Sequence, residues 1–262
     1  MVALKCPVCG EALTLMPKEA SCPKGHRFDR AASGYLNLLL SQNKHTKAPG
    51  DSRDMVLSRR RFLDAGYYQP LREALVSRIK SYSPDTILDA GCGEGYYTSK
   101  MSEICKTIGV DLSKDAVLRA SKRDKEGIYC VASIFDLPVC DTSIDVITSV
   151  FAPYSAKEFA RVARSAVIAV IPGSKHLFGL KELLYDIPYL NDEEGYALDG
   201  FALKSCDNVD FQISVYGNDA IFDLFSMTPY FWKTPRDAVE RLKKVNTLKT
   251  DISFKILCYE KK

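Results

Sequence analysis

The chain has 262 residues, of which 46% are hydrophobic and 26% charged, a composition that is ordinary for a globular protein with a core of its own. No apolar run approaches the ~20 residues that span a bilayer, and the opening "MVALKCPVCG" lacks the apolar segment of a signal peptide. These features exclude a membrane-spanning chain and favour a cytoplasmic protein. The nine cysteines are therefore expected to be reduced rather than paired in disulfides.

The net charge of +3 is unevenly distributed along the chain. Residues 1–80 carry 14 Lys and Arg against 7 Asp and Glu, a balance of +7, whereas residues 81–262 carry 22 against 26, a balance of −4. A basic front end on a slightly acidic body indicates contact with an anionic partner. A solvated basic surface without a partner explains the same pattern equally well.

The first 30 residues contain two pairs of metal-ligand residues. Two residues separate Cys6 from Cys9, three separate Cys22 from His26, and twelve lie between the pairs. Three thiolates and one imidazole at this spacing predict a closed, tetrahedral zinc site, with one structural ion per chain. Because so short a segment buries little apolar surface, the metal would supply its folding energy.

A polar and basic stretch over residues 41–53 predicts a loop or tether. A short basic helix is expected from about residue 52 to 63, and a second helix with an apolar stripe over residues 70–80. The first helix carries three consecutive arginines that are candidates for phosphate contact, with a solvated helix face as the equal alternative. They are Arg59, Arg60 and Arg61.

Residues 86–95 read "TILDAGCGEG", a short apolar strand that continues into a glycine-rich turn. Glycine lets a ligand approach the backbone, and the N-terminus of the following helix offers free N–H groups. The carboxylates of Asp89 and Glu94 would repel a diphosphate at this place. A cationic ligand, with a sulfonium and an α-ammonium group, fits better.

Strands and helices alternate beyond this turn. The second strand ends at Asp111, where a carboxylate can accept both hydroxyls of a ribose, and the third ends near Ser133. The fourth strand precedes "FAPY" at residues 151–154, the fifth reads "SAVIAVIPG", and two strands near the C-terminus would complete seven. The pattern predicts an α/β protein with a doubly wound sheet and a ligand beyond the carboxyl ends of its strands.

These segments resemble known methyltransferases. "DAGCGEG" and "GVDLS" are similar to the first two motifs of the class I S-adenosylmethionine (SAM)-dependent methyltransferases, which have a Rossmann-like fold. The zinc pairs, "GYLNLL", "GDSRDM", "FLDAGYYQPL", "IPGSKHLFGLKELLYD" and "MTPYFWK" together resemble the bacterial 23S ribosomal RNA guanine-N1 methyltransferases through most of the chain. This resemblance implies SAM-dependent methylation of N1 of one guanine in an rRNA hairpin, a zinc module that helps to grip RNA, and a homodimer.

Carried over position by position, the resemblance makes Cys6, Cys9, Cys22 and His26 the zinc ligands. The cofactor contacts that it implies are Tyr68, Asp89, Gly91, Gly93, Glu94, Asp111, Leu112, Ser133 and His176. The candidates for RNA contact are Lys24, Arg27, Arg59, Arg60 and Arg61. The expected domains are a zinc-binding RNA-recognition module over residues 1–34, a basic linker with helices over 35–80, and a SAM-dependent methyltransferase domain over 81–262.

Guanine N1 carries a proton and becomes a nucleophile only as that proton leaves. The site must therefore align N1, hold the base unstacked and let the proton go. Phe151 or Tyr154 can stack on the guanine, with ordinary packing at the end of the sheet as the alternative. His176 is a candidate proton acceptor, although a contact with the cofactor is the favoured interpretation.

The sequence also allows two other functions. One is a small-molecule methyltransferase whose zinc knuckle only closes the site, and the other is a non-catalytic RNA-binding protein that retains a cofactor pocket. The basic front end favours RNA over a small substrate. The complete set of acidic and glycine positions argues against an inactive pocket.

Overall fold

The computed structural model describes residues 4–40, 50–193 and 196–262. Most of the loop predicted over residues 41–53 lies outside these ranges. The N-terminal segment begins with a small antiparallel sheet of three strands, in the order in which they follow along the chain. They are β1 (Thr14–Leu15), β2 (Glu19–Ser21) and β3 (Arg27–Asp29).

The centre of the molecule is an eight-stranded sheet. Its strands are β4 (Leu36–Asn37), β5 (Thr86–Ala90), β6 (Lys106–Asp111), β7 (Ile128–Val131), β8 (Ile144–Val150), β9 (Ala163–Pro172), β10 (Phe201–Tyr216) and β11 (Thr247–Lys261). Across the sheet the order is β10-β11-β9-β8-β5-β6-β7-β4. Pairing is parallel from β9 to β4, whereas β11 is antiparallel to both of its neighbours.

Helices cover the sheet. They are α1 (Arg53–Asp64), α2 (Gln69–Lys80), α3 (Thr98–Ser102), α4 (Lys114–Arg123), α5 (Ala156–Val162), α6 (Phe178–Leu184), α7 (Asn218–Ser226) and α8 (Arg236–Leu242), with a 3-10 turn over Pro229–Trp232. The helices predicted over residues 52–63 and 70–80 are confirmed as α1 and α2. Ser52 ends the preceding loop as an N-cap, and its Oγ accepts a hydrogen bond from Met55 N at 3.3 Å.

The core lies on both faces of the sheet because side chains alternate along each strand. On β5, Ile87 faces the cluster that includes α2 and α7, whereas Leu88 faces the cluster that includes α5. The same alternation separates Val146 from Ile147 on β8. Strands that are buried on both faces have continuously apolar sequences, and this pattern predicts a parallel sheet in the middle of the chain.

The seven predicted strands are present, and the structure adds an eighth. Leu36 and Asn37 of β4 pair with Cys130 and Val131 of β7, so the N-terminal segment extends the sheet at that edge. A two-residue strand has no detectable sequence periodicity. No helix among the described residues combines the length and the apolar character that crossing a bilayer requires.

Candidate zinc centre and cofactor site

Two tight turns bring the four predicted zinc ligands together. The first turn closes with a hydrogen bond from Gly10 N to Cys6 O at 2.9 Å, and the second, between β2 and β3, with one from Gly25 N to Cys22 O at 2.9 Å. Gly10 and Gly25 have φ angles of 79° and 83°, in the left-handed region that glycine adopts without strain. Glycine at these positions therefore allows each pair of ligands to converge on one point.

The ligand atoms match a tetrahedral zinc ion. All four lie within 4.8 Å of one another. Cys9 Sγ is 3.7 Å from Cys22 Sγ, and Nδ1 of His26 is 3.6 Å from Cys6 Sγ and 3.3 Å from Cys22 Sγ. Zinc–sulfur bonds of about 2.3 Å at the tetrahedral angle separate two sulfurs by about 3.8 Å, so the cluster needs little adjustment to hold the metal.

The environment of Cys22 favours its thiolate, which is the form that binds zinc. Burial alone would raise the pKa of this thiol. Hydrogen bonds from the backbone and the side chain of His26 outweigh burial and lower the pKa to about 6. This preference is specific to Cys22: a hydrogen bond from the backbone of Glu11 lowers the pKa of Cys9, but burial and the neighbouring thiols outweigh it and raise that pKa overall.

The zinc-binding segment packs directly on the large sheet. Leu4, Leu13 and Ala20 are buried in the same cluster as Leu88 of β5. Lys5 N also donates a hydrogen bond to Pro138 O at 2.9 Å. Apolar packing on the sheet thus holds the metal site in position, in addition to the covalent connection of the segment to the rest of the chain.

A cavity of about 750 Å³ opens at the carboxyl ends of β5 to β9. Every predicted cofactor residue except Asp89 lines it: Tyr68, Gly91, Gly93, Glu94, Asp111, Leu112, Ser133 and His176. Parallel strands bring these residues to one edge of the sheet, as the sequence predicts. The division of roles among them stays a prediction.

The glycine-rich turn shapes the floor of this cavity. Gly93 has a φ of 54°, and a Cβ built on it would meet no atom within 4 Å, so its backbone faces open space that a ligand can fill. A Cβ on Gly91 would come within 2.4 Å of Ala152 Cβ. Glycine is therefore required at 91 for packing against the segment after β8, and at 93 for close approach of a ligand.

Asp111 stands at the end of β6 with both carboxylate oxygens oriented by backbone groups. Oδ2 accepts a hydrogen bond from Gly93 N at 2.9 Å, and Oδ1 accepts one from Ser113 N at 2.8 Å. Burial raises the pKa of Asp111, while these two hydrogen bonds lower it. Each oxygen keeps a free lone pair, so the carboxylate can still accept the two hydroxyls of a ribose.

Asp89 differs from the other predicted cofactor residues because its side chain lies beneath the turn. Oδ2 accepts a hydrogen bond from Thr98 Oγ1 at 2.5 Å, and Oδ1 accepts one from Thr148 Oγ1 at 2.9 Å. Burial raises the pKa of Asp89 to about 6 despite these bonds. Its carboxylate connects β5, α3 and β8 and thereby supports the turn from within the protein.

Glu94 is buried at the cavity wall and pairs with Arg123, whose Nη2 lies 2.6 Å from Oε2. Burial raises the pKa of Glu94, whereas the charge of Arg123 lowers it. Within the described part of the chain, Oε1 of Glu94 has no hydrogen-bond partner. A buried acceptor beside an open cavity suits a ligand that brings N–H groups or a positive charge, as SAM does.

Tyr68 and His176 form a buried pair on the opposite wall. Tyr68 Oη lies 3.4 Å from His176 Nε2, and Ser253 N donates to Nδ1 at 3.4 Å. Because Nδ1 accepts, Nε2 carries the proton and donates to Tyr68. Burial lowers the pKa of His176 to about 3, and the charge of Lys181 acts in the same direction. The imidazole is therefore neutral at physiological pH.

Phe151 follows β8 and lines the cavity. Its backbone conformation is unusual. Its φ is 54°, in the left-handed region that a bulky side chain adopts only under strain. The ring stacks at 18° to His176, with 6.4 Å between centroids, and is 43% exposed. Tyr154, the other predicted stacking residue, does not line the cavity.

Each of the predicted RNA-contact residues forms an ion pair within the protein. Arg59 lines the cofactor cavity and pairs with Asp51. Its neighbours on α1 form other ion pairs, Arg60 with Asp64 and Arg61 with Asp223. The remaining two lie on the zinc-binding segment with exposed side chains: Lys24 pairs with Glu11 and Arg27 with Glu19.

Sequence analysis gave no role to Asn191, which lines the cavity from the loop after α6. That loop carries no motif that links it to the glycine-rich turn. Three other lining residues lie within segments that the sequence singles out: Asp51 in "GDSRDM", Tyr230 in "MTPYFWK", and the exposed Phe135 two residues after Ser133.

Two segments of the chain match known protein families. Residues 4–47 match the zinc-ribbon family described as "RlmA, N-terminal", and residues 88–178 match the family described as "Methyltransferase domain". Among solved structures, the YcgJ protein of Bacillus subtilis superposes with a TM-score of 0.52 at 16% identity, covering 73% of this chain and 97% of that one. The fold is that of a class I, SAM-dependent methyltransferase with an N-terminal zinc ribbon.

Curated relatives extend over almost the whole chain. A Streptomyces fradiae protein named 23S rRNA (guanine(748)-N(1))-methyltransferase is 30% identical over 91% of this chain and 89% of its own length. A provisionally named 23S rRNA (guanine-N(1)-)-methyltransferase of Bacillus subtilis, YxjB, is 30% identical over 97% of this chain and 95% of its own. The chain belongs to the family of the 23S rRNA (guanine-N1)-methyltransferases.

Proposed function

We propose that the protein transfers a methyl group from SAM to N1 of one guanine in a hairpin of 23S rRNA. The observation that carries this proposal is the relative from Streptomyces fradiae, whose name states that reaction and whose similarity covers 91% of this chain. The similarity spans both the zinc ribbon and the cofactor cavity. None of residues 4–40 lines the cavity, which argues against a zinc knuckle that only closes the site of a small-molecule methyltransferase.

The cavity offers room for a base beside the cofactor. One end lies over β5 to β7, where Gly93 and Asp111 are positioned for the adenosine part of SAM. The other end lies over β8 and β9 and is lined by the rings of Phe151, His176 and Tyr230. An unstacked guanine can lie against such rings, which replace the stacking that it loses on leaving its helix.

The chemistry at N1 requires alignment and stabilisation of the deprotonated base. SAM supplies a methyl group that its sulfonium makes electrophilic. His176 is a poor proton acceptor in this arrangement, because Nδ1 already accepts from Ser253 N and Nε2 donates to Tyr68. Its neutral ring instead fixes the orientation of the Tyr68 hydroxyl at this end of the cavity.

The zinc ribbon is proposed to grip the RNA. Lys24 and Arg27 have side-chain exposures of 59% and 69%, so both can reach phosphate groups. The segments over residues 1–34, 35–80 and 81–262 then act as RNA-recognition module, basic connector and methyltransferase domain. A homodimer and a cytoplasmic location belong to the same proposal, the latter because rRNA is the substrate.

Primer extension on 23S rRNA tests this function. N1 methylation blocks Watson–Crick pairing, so reverse transcriptase is expected to stop one nucleotide before a guanine in RNA from cells that carry the gene. The stop should disappear in a deletion strain and return with the wild-type gene, but not with Asp111→Ala. The position of the stop identifies the guanine.

Three results would contradict the proposal in different ways. Identical stops in both strains exclude methylation of this RNA. Transfer of labelled methyl groups to small molecules, but not to rRNA, would identify a small-molecule enzyme. Binding of rRNA by a protein that does not bind SAM in calorimetry would identify a non-catalytic RNA-binding protein.

A further inference from the structure

A lysine is completely buried next to the cofactor cavity. Lys181 of α6 is 0% exposed, and burial lowers its pKa. Its Nζ donates to Tyr189 O at 2.9 Å and to Asn191 Oδ1 at 2.6 Å, and lies 4.3 Å from the ring centroid of Tyr189. No carboxylate forms an ion pair with it within the ranges 4–40, 50–193 and 196–262. Burying an ammonium without a counter-charge costs stability, so a functional reason for it is expected.

The lysine fixes the orientation of one amide. An ammonium can only donate hydrogen bonds, so the Asn191 atom that faces it must be Oδ1. On the other side, Gly173 O can only accept, and it lies 2.8 Å from Nδ2 of Asn191. Both contacts select the same rotamer of the amide and exclude the flipped one.

Among the described residues, only one of the two N–H groups of the Asn191 amide has an acceptor. The amide nitrogen has two hydrogens, and the contact with Gly173 O uses one of them. Asn191 lines the cavity next to the residues that follow β9, away from the ends of β5 to β7 where the cofactor turn and Asp111 lie. The free donor therefore belongs to the half of the cavity that is left for the substrate.

We propose that Asn191 donates this N–H to O6 of the target guanine, and that Lys181 is the positioning residue that orients the amide. The inference rests on the proposed function, because it assigns a contact within that reaction. Asn191 thereby distinguishes a guanine, whose O6 accepts a hydrogen bond, from an adenine, whose N6 amino group donates. Lys181 also strengthens the donor, since a cation on Oδ1 polarises the amide.

The contact matters most during the reaction. When the N1–H bond breaks and the proton passes to solvent, the electron pair is shared between N1 and O6. N1 then forms a bond to the methyl carbon as the carbon–sulfur bond breaks, and the electrons of that bond return to sulfur. O6 ends as a neutral carbonyl. A donor at O6 therefore stabilises the charged state more than either end state, and such a contact raises kcat rather than affinity.

The test compares wild type with Asn191→Ala, Asn191→Asp, Lys181→Met and Lys181→Arg on the rRNA hairpin that contains the modified guanine. We expect the two Asn191 variants to lose about 100-fold in kcat, with the KM for RNA and the SAM affinity changed less than about threefold. In Asn191→Asp the new carboxylate pairs with Lys181, so folding is retained while the donor is lost. Asn208→Asp, on the exposed part of β10, is the matched control and should be fully active.

Lys181→Met should lower kcat about tenfold, and Lys181→Arg should restore most of this loss. The inference is overturned if wild type methylates the hairpin and the Asn191 variants match it. It is also overturned if their losses in kcat follow equal losses in SAM affinity or a collapse of Tm, because these would indicate a purely structural role. A wild-type protein that forms no N1-methylguanine overturns the proposed function and this contact together.

Discussion

Arg61 of α1 and Asp223 of α7 form a bidentate ion pair across 162 positions of the chain. Nε lies 2.7 Å from Oδ2, and Nη2 lies 2.5 Å from Oδ1. The Asp223 side chain is largely buried while the guanidinium remains partly open to solvent. The pair joins a helix that precedes the glycine-rich turn to one that follows the whole parallel sheet. Nε and Nη2 of the Arg61 guanidinium, which could otherwise contact a phosphate, are therefore hydrogen-bonded to Asp223.

Arg61→Ala is expected to lower the free energy of unfolding by about 1–2 kcal/mol, because it leaves the Asp223 carboxylate without its partner. Denaturant unfolding followed by circular dichroism measures the change. Arg60→Ala is the matched control on the same helix: its only ion pair, within the described residues, is a single contact of 3.3 Å to Asp64. We expect less than about 0.5 kcal/mol there. Equal losses in the two variants would contradict the structural role of Arg61.

Asp89 should make stability depend on pH. Its pKa is raised to about 6 in the folded protein, against about 3.9 in an unfolded chain. The group therefore contributes its full stability below about pH 4 and loses it as pH rises through 6. Relative to Asp89→Asn, wild type should lose about 3 kcal/mol of unfolding free energy between pH 4 and pH 7. Urea unfolding of both proteins over this range measures the difference, and a difference that is constant with pH would refute the assignment.

Asp111→Ala should weaken SAM binding by about 10- to 100-fold, because the variant loses charge-assisted hydrogen bonds to the ribose. RNA affinity should be largely unchanged. Isothermal calorimetry with SAM and a filter-binding assay with the hairpin measure the two quantities. Asp115→Ala, which removes a half-buried carboxylate of α4 that does not line the cavity, serves as the control. An unchanged SAM titration in Asp111→Ala would show that the carboxylate does not contact the cofactor.

Cys22→Ser is expected to release the single zinc ion and to abolish hairpin binding, while SAM affinity stays within about twofold of wild type. The reason is that none of residues 4–40 lines the cofactor cavity. Metal analysis, calorimetry and RNA binding on the same preparation separate these effects. Cys206→Ser changes an exposed cysteine outside the cluster and should alter none of them. Equal loss of SAM and RNA binding would contradict the separation of the two sites.

The sequence was most informative where one buried strand ends at one polar residue. Asp111 and Ser133 could be assigned to the same cavity because parallel strands expose their carboxyl ends at one edge of the sheet. The zinc ligands could be assigned because their spacing is a local property of two turns. In both cases short-range geometry determines where the side chain lies.

The rest depends on contacts between distant segments, which leave no periodic pattern. The sequence makes Arg59 a candidate for phosphate contact or part of a solvated helix face, and it does not indicate that Arg59 lines the cofactor cavity. The loop before α1 lies next to this cavity, with Asp51 O accepting a hydrogen bond from Ser113 Oγ at 2.9 Å. Asn191 sits in a loop whose composition says nothing of the lysine that orients it. Such assignments require the three-dimensional structure.

The pairing of β4 with β7 has a consequence for biosynthesis. Leu36 and Asn37 leave the ribosome long before their partners Cys130 and Val131 exist. All four zinc ligands precede β4 in the chain, so metal capture depends on local turns and can occur as soon as they emerge. Docking of the ribbon is a late, non-local step that waits for the third strand of the parallel sheet. The order of these segments in the chain thus allows zinc binding before the cofactor pocket has formed.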